Sequence, residues 1–434
     1  MTGLRDRALF VICVAAQGCI LLGLALAARS GCLPSSVVAG LLVSFIPYAG
    51  MLAASDSWPS QRALTLGAVP ITALLGAALL FAPPMLSDDL YRYLWEGRLW
   101  LEGFNPYRLA PDDLALGPLR DETWQEINNK ALGSIYPPLS QLLFVVAVWL
   151  GGQVWTIKLL ALLAHLLTVA FVGRIAKSAK APLALGLNPL LLSESALNGH
   201  IDILCGLAML VAAWALAQHR FVQAGIATCA AVGLKVVGLI LLPLFVRRPK
   251  LMFGAALASA LWLVPLLAYR GPIDPASGPG QFASRWRGNE SLFALADWLS
   301  RQFLADRYAE IGARWMVALC LLLLIGLVVR RRVPAWAAAR SLLWGVLLLS
   351  PQVHPWYLAW LLPLEVAAGG SAGLVWSAAV LCAYAPLDLW VSQGVWRMPA
   401  WLQIFEYSAV ALALIVDRRR PTLLGPSPEE PFPS

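Results

Sequence analysis

Charge is what this chain has least of. Asp, Glu, Lys and Arg together make up 13% of 434 residues, and His occurs only four times. Soluble domains carry about 25% charged residues. The 59% of hydrophobic residues is more apolar side chain than a water-facing surface of this size accommodates, so part of the surface must dissolve in lipid. An intrinsically disordered chain is excluded by the same numbers. Cysteine pairs at metal-ligand spacing are also missing. Cys13, Cys19, Cys32, Cys205, Cys229, Cys320 and Cys382 form no C-x-x-C, and all but Cys32 sit in apolar runs. That excludes a disulfide scaffold and reads the cysteines as small buried apolar residues. The net charge of +8 is no nucleic-acid footprint, because the basic residues lie in short clusters between apolar runs. No tandem repeat is present.

What is there is a long series of apolar runs. They lie near 8–28, 35–54, 63–84, 153–173, 182–197, 200–217, 222–246, 251–269, 314–329, 335–352, 355–369, 372–390 and 399–416. The first follows Arg5 and Arg7 like a signal peptide, but at about twenty residues it spans a bilayer, and it is read as a retained helix. Runs this long are helices rather than barrel strands, because each backbone group in lipid must bond within its own segment. The run 222–246 is broken by Gly233, Lys235 and Gly238 and reads as two short helices meeting at Lys235. The expectation is an all-α polytopic membrane protein with about 12–14 transmembrane helices, a single domain over 1–417 and a Pro-rich disordered cytoplasmic tail over 418–434.

Basic residues set the orientation. Arg5/Arg7, Arg62, Arg174/Lys177/Lys180, Arg220, Arg247/Arg248/Lys250, Arg330–Arg332 and Arg418–Arg420 hold half of the 32 basic residues, with only Asp6, Asp56 and Asp417 as close acidic neighbours. All face the cytoplasm together if 137–151, which opens on Pro137-Pro138, is re-entrant or interfacial. Two polar loops, 85–136 and 270–313, then lie outside. A bacterial inner membrane with both termini cytoplasmic is the expected location, with the site on the periplasmic side.

The first outer loop begins Asp88-Asp89, directly after an apolar helix. Adjacent acids at a membrane boundary are costly to desolvate unless they have a task, although a solvated helix cap is the alternative. The following segment, with Leu90, Leu94, Leu101 and Tyr91, Tyr93, Trp95, Trp100 and Phe104, reads as an interfacial amphipathic helix that shows Arg92, Glu96 and Arg98 to water. Gly103-Phe-Asn-Pro-Tyr107 ends it with turn residues. Other polar interruptions come from distant parts of the chain: Tyr136-Pro-Pro, Glu194, Asn198-Gly-His200-Ile-Asp202, Lys235, and Gln352-Val-His354-Pro-Trp-Tyr357. Singly, each has a plain reading: a turn at Asn-Gly, a satisfied buried histidine at His200, a snorkelling Lys235, a helix boundary at His354-Pro355. Together they fall on the side where the acid pair lies, although the basic clusters that set the topology include none of them. Arg285 and Arg287 in the second outer loop suit a phosphate, and equally solvent or lipid headgroups.

These residues resemble the GT-C superfamily of integral-membrane glycosyltransferases. The likeness is greatest to the polyprenol-phosphate-mannose-dependent branch, namely glycosyltransferase family 87 and the bacterial alpha-mannosyltransferases. It is more distant to the catalytic subunit of GPI mannosyltransferase I. It runs from about 85 to 365 and rests on Asp88-Asp89 with Gly103-Phe-Asn-Pro-Tyr107 behind it, on Tyr136-Pro-Pro-Leu, on Asn188-Pro with Asn198-Gly-His-Ile-Asp, on Leu234-Lys235 and on His354-Pro-Trp-Tyr. The resemblance implies transfer of a sugar, mannose above others, from a polyprenyl phosphate to a lipid or glycan acceptor amid membrane lipids, with no nucleic acid involved. It implies Asp89 as base, with Asp88 as its neighbour. Lys235, His200, His354, Arg285 or Arg287 would hold the phosphate, and Asn198, Asp202, Tyr136 and Tyr107 would line the substrate. No cofactor is required by this reading, and a divalent cation (Mg2+ or Mn2+), where one takes part, would meet Asp88 and Asp89. The chain departs from the family in two ways. Its first long loop follows the third helix, as if two helices were added, and its acids are adjacent rather than D-x-D. A secondary transporter or flippase is the alternative from another class, because broken helices with polar ends also build carrier sites.

Overall fold

The computed structural model describes residues 2–58, 60–268 and 278–419. Among these it is helical, with one isolated backbone bridge, Gly288 to Gln352, in place of any sheet. Three long helices open the chain: α1 (Thr2–Arg29), α2 (Pro34–Ala54) and α3 (Gln61–Leu80). The segment that follows carries α4 (Asp89–Leu101), the short α5 (Glu122–Gln125) and α6 (Pro138–Trp149). A long α7 (Val154–Ile175) leads to a broken pass made of α8 (Lys180–Gly186), α9 (Pro189–Leu192) and a π-helical turn, Ser193–Leu197. Then come α10 (Asp202–Ala217), α11 (Phe221–Leu234), a 3₁₀ segment Val236–Phe245, and α12 (Pro249–Ala268). Beyond 278 the order is α13 (Gly278–Arg285), α14 (Leu292–Phe303), α15 (Asp306–Arg330), α16 (Ala335–Leu349), α17 (Leu358–Ala367), α18 (Ala372–Ala379), α19 (Leu387–Gln393) and α20 (Ala400–Arg419).

Among the described residues seven helices are long and apolar enough to cross a membrane. The shorter ones are shortened for identifiable reasons. Lys235 separates α11 from the 3₁₀ segment that returns beside it, as the break in the run 222–246 predicts. Asn188-Pro189 stops α8, because the residue before proline leaves the helical region, and Asn188 then caps α9 through Leu191 N at 3.2 Å.

Contacts between helix ends fix which ends lie together. Arg29 donates to the carbonyl of Phe81 at 3.1 Å, Leu86 N donates to Asn198 Oδ1 at 3.2 Å, and Ser35 N donates to Asp388 at 3.0 Å. At the opposite end Lys180 pairs with Asp56 at 2.6 Å, and Ser371 N donates to Asp417 at 2.8 Å. Lys158, near the start of α7, donates to the carbonyl of Ala82, so 82–157 starts and finishes at one end of the bundle. The segment 137–151 therefore makes no net crossing. Instead α6 packs across α4, where the backbone of Phe144 lies so close to Gly97 that an added Cβ would fall 2.4 Å from its carbonyl oxygen.

α15 begins at Asp306, inside the loop expected over 270–313, and α20 runs to Arg419, two residues into the tail expected over 418–434. Residues 269–277 and 420–434, which carry the rest of both expectations, lie outside the described residues.

Candidate active site

The acid pair opens α4: Asp88 is its N-cap and Asp89 its first residue. Here one sequence expectation is corrected. Arg92 and Glu96 do not face water but are buried. A full charge is buried only when it is paired and hydrogen-bonded, and both conditions are met. Arg92 lies 3.4 Å from Glu96 and donates to the carbonyls of Asn128 (2.7 Å), Asn129 (2.8 Å) and Leu132 (3.1 Å). Glu96 also accepts from Ser134 at 2.7 Å and Gln141 at 2.6 Å. The pair therefore clips the returning loop over α4. Arg98 alone keeps a partly exposed partner, Asp121 at 2.6 Å.

The clip has a consequence at the acids. It carries Asn128 to the N-terminus of α4, where its amide nitrogen donates to Asp88 and, at 3.3 Å, to Asp89. Burial pushes the Asp88 carboxyl up to about 6, with the neighbouring Asp89 charge acting in the same direction and the Asn128 bond against it.

Opposite the acids stands the turn between the π segment and α10. Gly199 has φ +74°, a left-handed conformation that L side chains rarely adopt, and an added Cβ would lie 3.3 Å from both Ile157 and Lys158. This turn aims His200 at Asp89, with Nε2 3.8 Å from Oδ2. The other ring nitrogen bonds Glu194 at 2.7 Å, and Tyr384 donates to the second oxygen of Glu194 at 2.8 Å. Trp356 is sandwiched between two imidazoles, His200 at 4.1 Å and His354 at 4.2 Å between ring centroids.

Lys235 completes the cluster. Its ammonium is 3.3 Å from Asp202 Oδ2 and lies 5.0 Å over the ring of Tyr136. Asp202 accepts from Trp360 Nε1 at 2.8 Å through its other oxygen. Tyr107 supports Tyr136 from behind by donating to its carbonyl at 2.8 Å. Asn198 faces Leu86, Ser193 and Glu194, so it braces the turn.

The sequence-predicted residues thus divide. Asp88, Asp89, His200, Asp202, Lys235, Tyr136 and His354 are linked through direct contacts or shared rings, with Tyr107 and Asn198 as supports. His354 is present as a neutral ring rather than the expected cation: burial, with His200 and Lys235 nearby, pushes it down to about 4 against the opposing pull of Asp89. Arg287 is spent elsewhere. Its guanidinium donates to Glu290 at 2.6 and 2.7 Å and to Asp297 at 3.2 Å, a saturated ionic cluster of the second outer loop. The side chain of Arg285 lies outside the described residues. Sequence reasoning missed Asn128, Trp360 and Tyr384, which carry no motif. It passed over Glu194 as a site residue, although an acid inside an apolar run is itself a signal.

Asp88 and Asp89 offer hard oxygen ligands of the kind Mg2+ or Mn2+ takes. As arranged they fit a cation poorly: the Asn128 NH2 group, a donor, bonds both carboxylates, His200 Nε2 stands 3.8 Å from Asp89, and no three His, Cys, Asp or Glu side chains are grouped to hold a metal among the described residues.

Against this geometry, residues 34–249 match the family model described as alpha-(1->6)-mannopyranosyltransferase, N-terminal domain. The chain is a glycosyltransferase of the GT-C mannosyltransferase type. The match begins at the first residue of α2, so α2 and α3 belong to the matched domain rather than being additions to it. It contains Asp88, Asp89, Glu194, His200, Asp202 and Lys235, whereas His354 and Arg287 lie beyond it. No curated protein and no solved structure matches the chain. The transferase is thus an integral membrane protein whose matched half carries the charged residues of the site.

Proposed function

We propose that this glycosyltransferase moves mannose from a polyprenyl-phosphate donor to a hydroxyl of a lipid or glycan acceptor at the outer face of the membrane, by a single inverting displacement. The observation that carries the reading is which charged groups of the cluster keep exposed surface. Asp89 and Lys235 keep 20% and 15% of their side-chain surface, while His200 keeps 1% and Asp202 none. One carboxylate and one ammonium are what such a displacement needs. Asp89 takes the proton of the attacking hydroxyl, a general-base contribution of about 10²–10⁴-fold. Lys235 meets the negative charge that develops on the departing phosphate, loosening its ion pair to Asp202. Tyr136 lies beneath Lys235 and holds its ammonium by a cation–π contact. The outer-face assignment rests on the basic clusters, which lie at the end of the bundle opposite this site.

The test uses purified protein in nanodiscs with radiolabelled polyprenyl-phosphate mannose and an envelope lipid extract. Wild type should transfer label, Asp89→Asn should lose at least about 10²-fold, and Lys235→Gln should raise KM for the donor and lower kcat together. Equal transfer by wild type and Asp89→Asn would remove Asp89 from its role. Transfer from a nucleotide sugar in place of the lipid donor would overturn the donor assignment.

A further inference from the structure

Glu194 and His200 are more heavily braced than a packing role requires. Both are buried beside Asp89. Three donors converge on Glu194: Tyr384 on one oxygen, and the His200 ring and, at 3.4 Å, the Asn198 amide on the other. A carboxylate only accepts, so the His200 proton is fixed on Nδ1. In the neutral ring that leaves Nε2 as a lone pair. It is buried, it has no hydrogen-bond partner, and it lies 3.8 Å from Asp89 Oδ2. The ring cannot swing away, because it is stacked on Trp356 with an interplanar angle of 14°. A bare acceptor held against a carboxylate is unfavourable unless a proton comes between them, and Asp89, as the base read above, acquires one in each turnover.

We propose that Glu194 and His200 form a relay behind Asp89, with His200 as a positioning residue that receives the proton Asp89 removes from the acceptor. The inference rests on the reading of Asp89 as base. As the acceptor oxygen bonds to the anomeric carbon, the bond from that carbon to the phosphate oxygen breaks and its electron pair leaves with the phosphate. The hydroxyl proton passes to Asp89, and Asp89 passes it to His200 Nε2. The imidazolium so formed lies between the Glu194 carboxylate and the face of Trp356, both of which favour a cation. Asp89 is again a carboxylate before the products separate. The proton returns through Asp89 to water or to the released phosphate, so the enzyme ends each cycle unchanged. The separation of 3.8 Å in the free enzyme closes to a hydrogen bond when substrate fills the cleft.

The experiment compares Asp89→Asn, His200→Gln and Glu194→Gln in the nanodisc assay, with melting temperature and donor KM measured for each. His200→Gln keeps a hydrogen-bonding side chain but cannot carry the proton. Its kcat should fall by about 10²-fold with KM nearly unchanged, and Glu194→Gln should fall by about tenfold. The split between kcat and KM is the readout that a merely structural role of His200 would not produce. Loss in Asp89→Asn with wild-type kcat in His200→Gln, or a change confined to melting temperature, would overturn the relay and leave the base reading standing. Wild-type transfer by Asp89→Asn would bring down the base reading itself.

Discussion

The two long polar loops are built from similar residues and end up as opposites. Each has arginines, acids and aromatics beside an amphipathic helix. In the first, Arg92 and Glu96 turn inward and are buried, while the acids at the start of α4 keep contact with the cleft. In the second, Arg287 pairs with Glu290 and Asp297, Arg301 pairs with Asp297 and Asp306, and Arg314 pairs with Glu310. The apolar side of α14, with Leu295, Trp298 and Phe303, is left exposed as an interfacial face. Charges that satisfy one another near the surface hold a loop in shape and have no valence left for a substrate. Charges that clip a loop from within free other groups to act.

Four measurements sharpen or break that contrast. The largest effect is expected at Asp89: Asp89→Asn should lower transfer by about 10²–10⁴-fold with little change in stability, read as kcat beside the melting temperature. Next is Arg92→Ala. Removing one partner strands Glu96 as an uncompensated buried charge, a cost of about 3–5 kcal/mol. The expected result is a markedly lower melting temperature together with lost transfer, because Asn128 no longer reaches the acids. Were Arg92→Ala to melt like wild type, the inward clip would be wrong.

The third concerns pH. The folded Asp88 carboxyl is raised from 3.8 to about 6. A raised carboxylate favours the folded state fully only below the unfolded value, and that contribution is lost as pH rises through the folded one. Stability attributable to Asp88 is therefore present below about pH 4 and fades through pH 6. Activity runs the other way. Above pH 6 Asp88 carries its own negative charge beside the base and helps to draw the proton from the acceptor, so kcat should have an acid limb with an apparent pKa near 6. Asp88→Asn should abolish that limb, and an unchanged limb would assign it to another group. The smallest effect is expected in the second loop. Arg287→Ala removes partly exposed ion pairs worth about 1 kcal/mol or less, and neither the donor KM nor kcat should move. A tenfold rise in KM there would restore Arg287 as a phosphate ligand.

Much of this was legible before any coordinates. The apolar runs mark most of the membrane helices, because a bilayer demands length and internal bonding. The break at Lys235 is visible because Gly233 and Gly238 flank a charge in an otherwise apolar run. The grouping of Asp88, His200, Lys235 and His354 follows from topology, since basic clusters elsewhere fix which turns share an end. The burial of Arg92 and Glu96 was not legible, because helical periodicity marks a polar stripe without saying whether water or another segment covers it. Nor was the neutral state of His354, which depends on what packs around the ring.

The chain's own chemistry therefore determined that it is a membrane-embedded helical protein, where its breaks fall, and that its polar interruptions gather at one end. Those outcomes depend on one-dimensional quantities, namely hydrophobic length, charge bias and turn residues. Only the tertiary structure decided which polar groups are spent and which remain available. A charge buried beside a partner 36–40 positions away, as Arg92 is with Asn128 and Leu132, changes role through a contact that local sequence does not record. The same holds for Glu194 and Tyr384, 190 positions apart, whose hydrogen bond fixes the ring that faces Asp89.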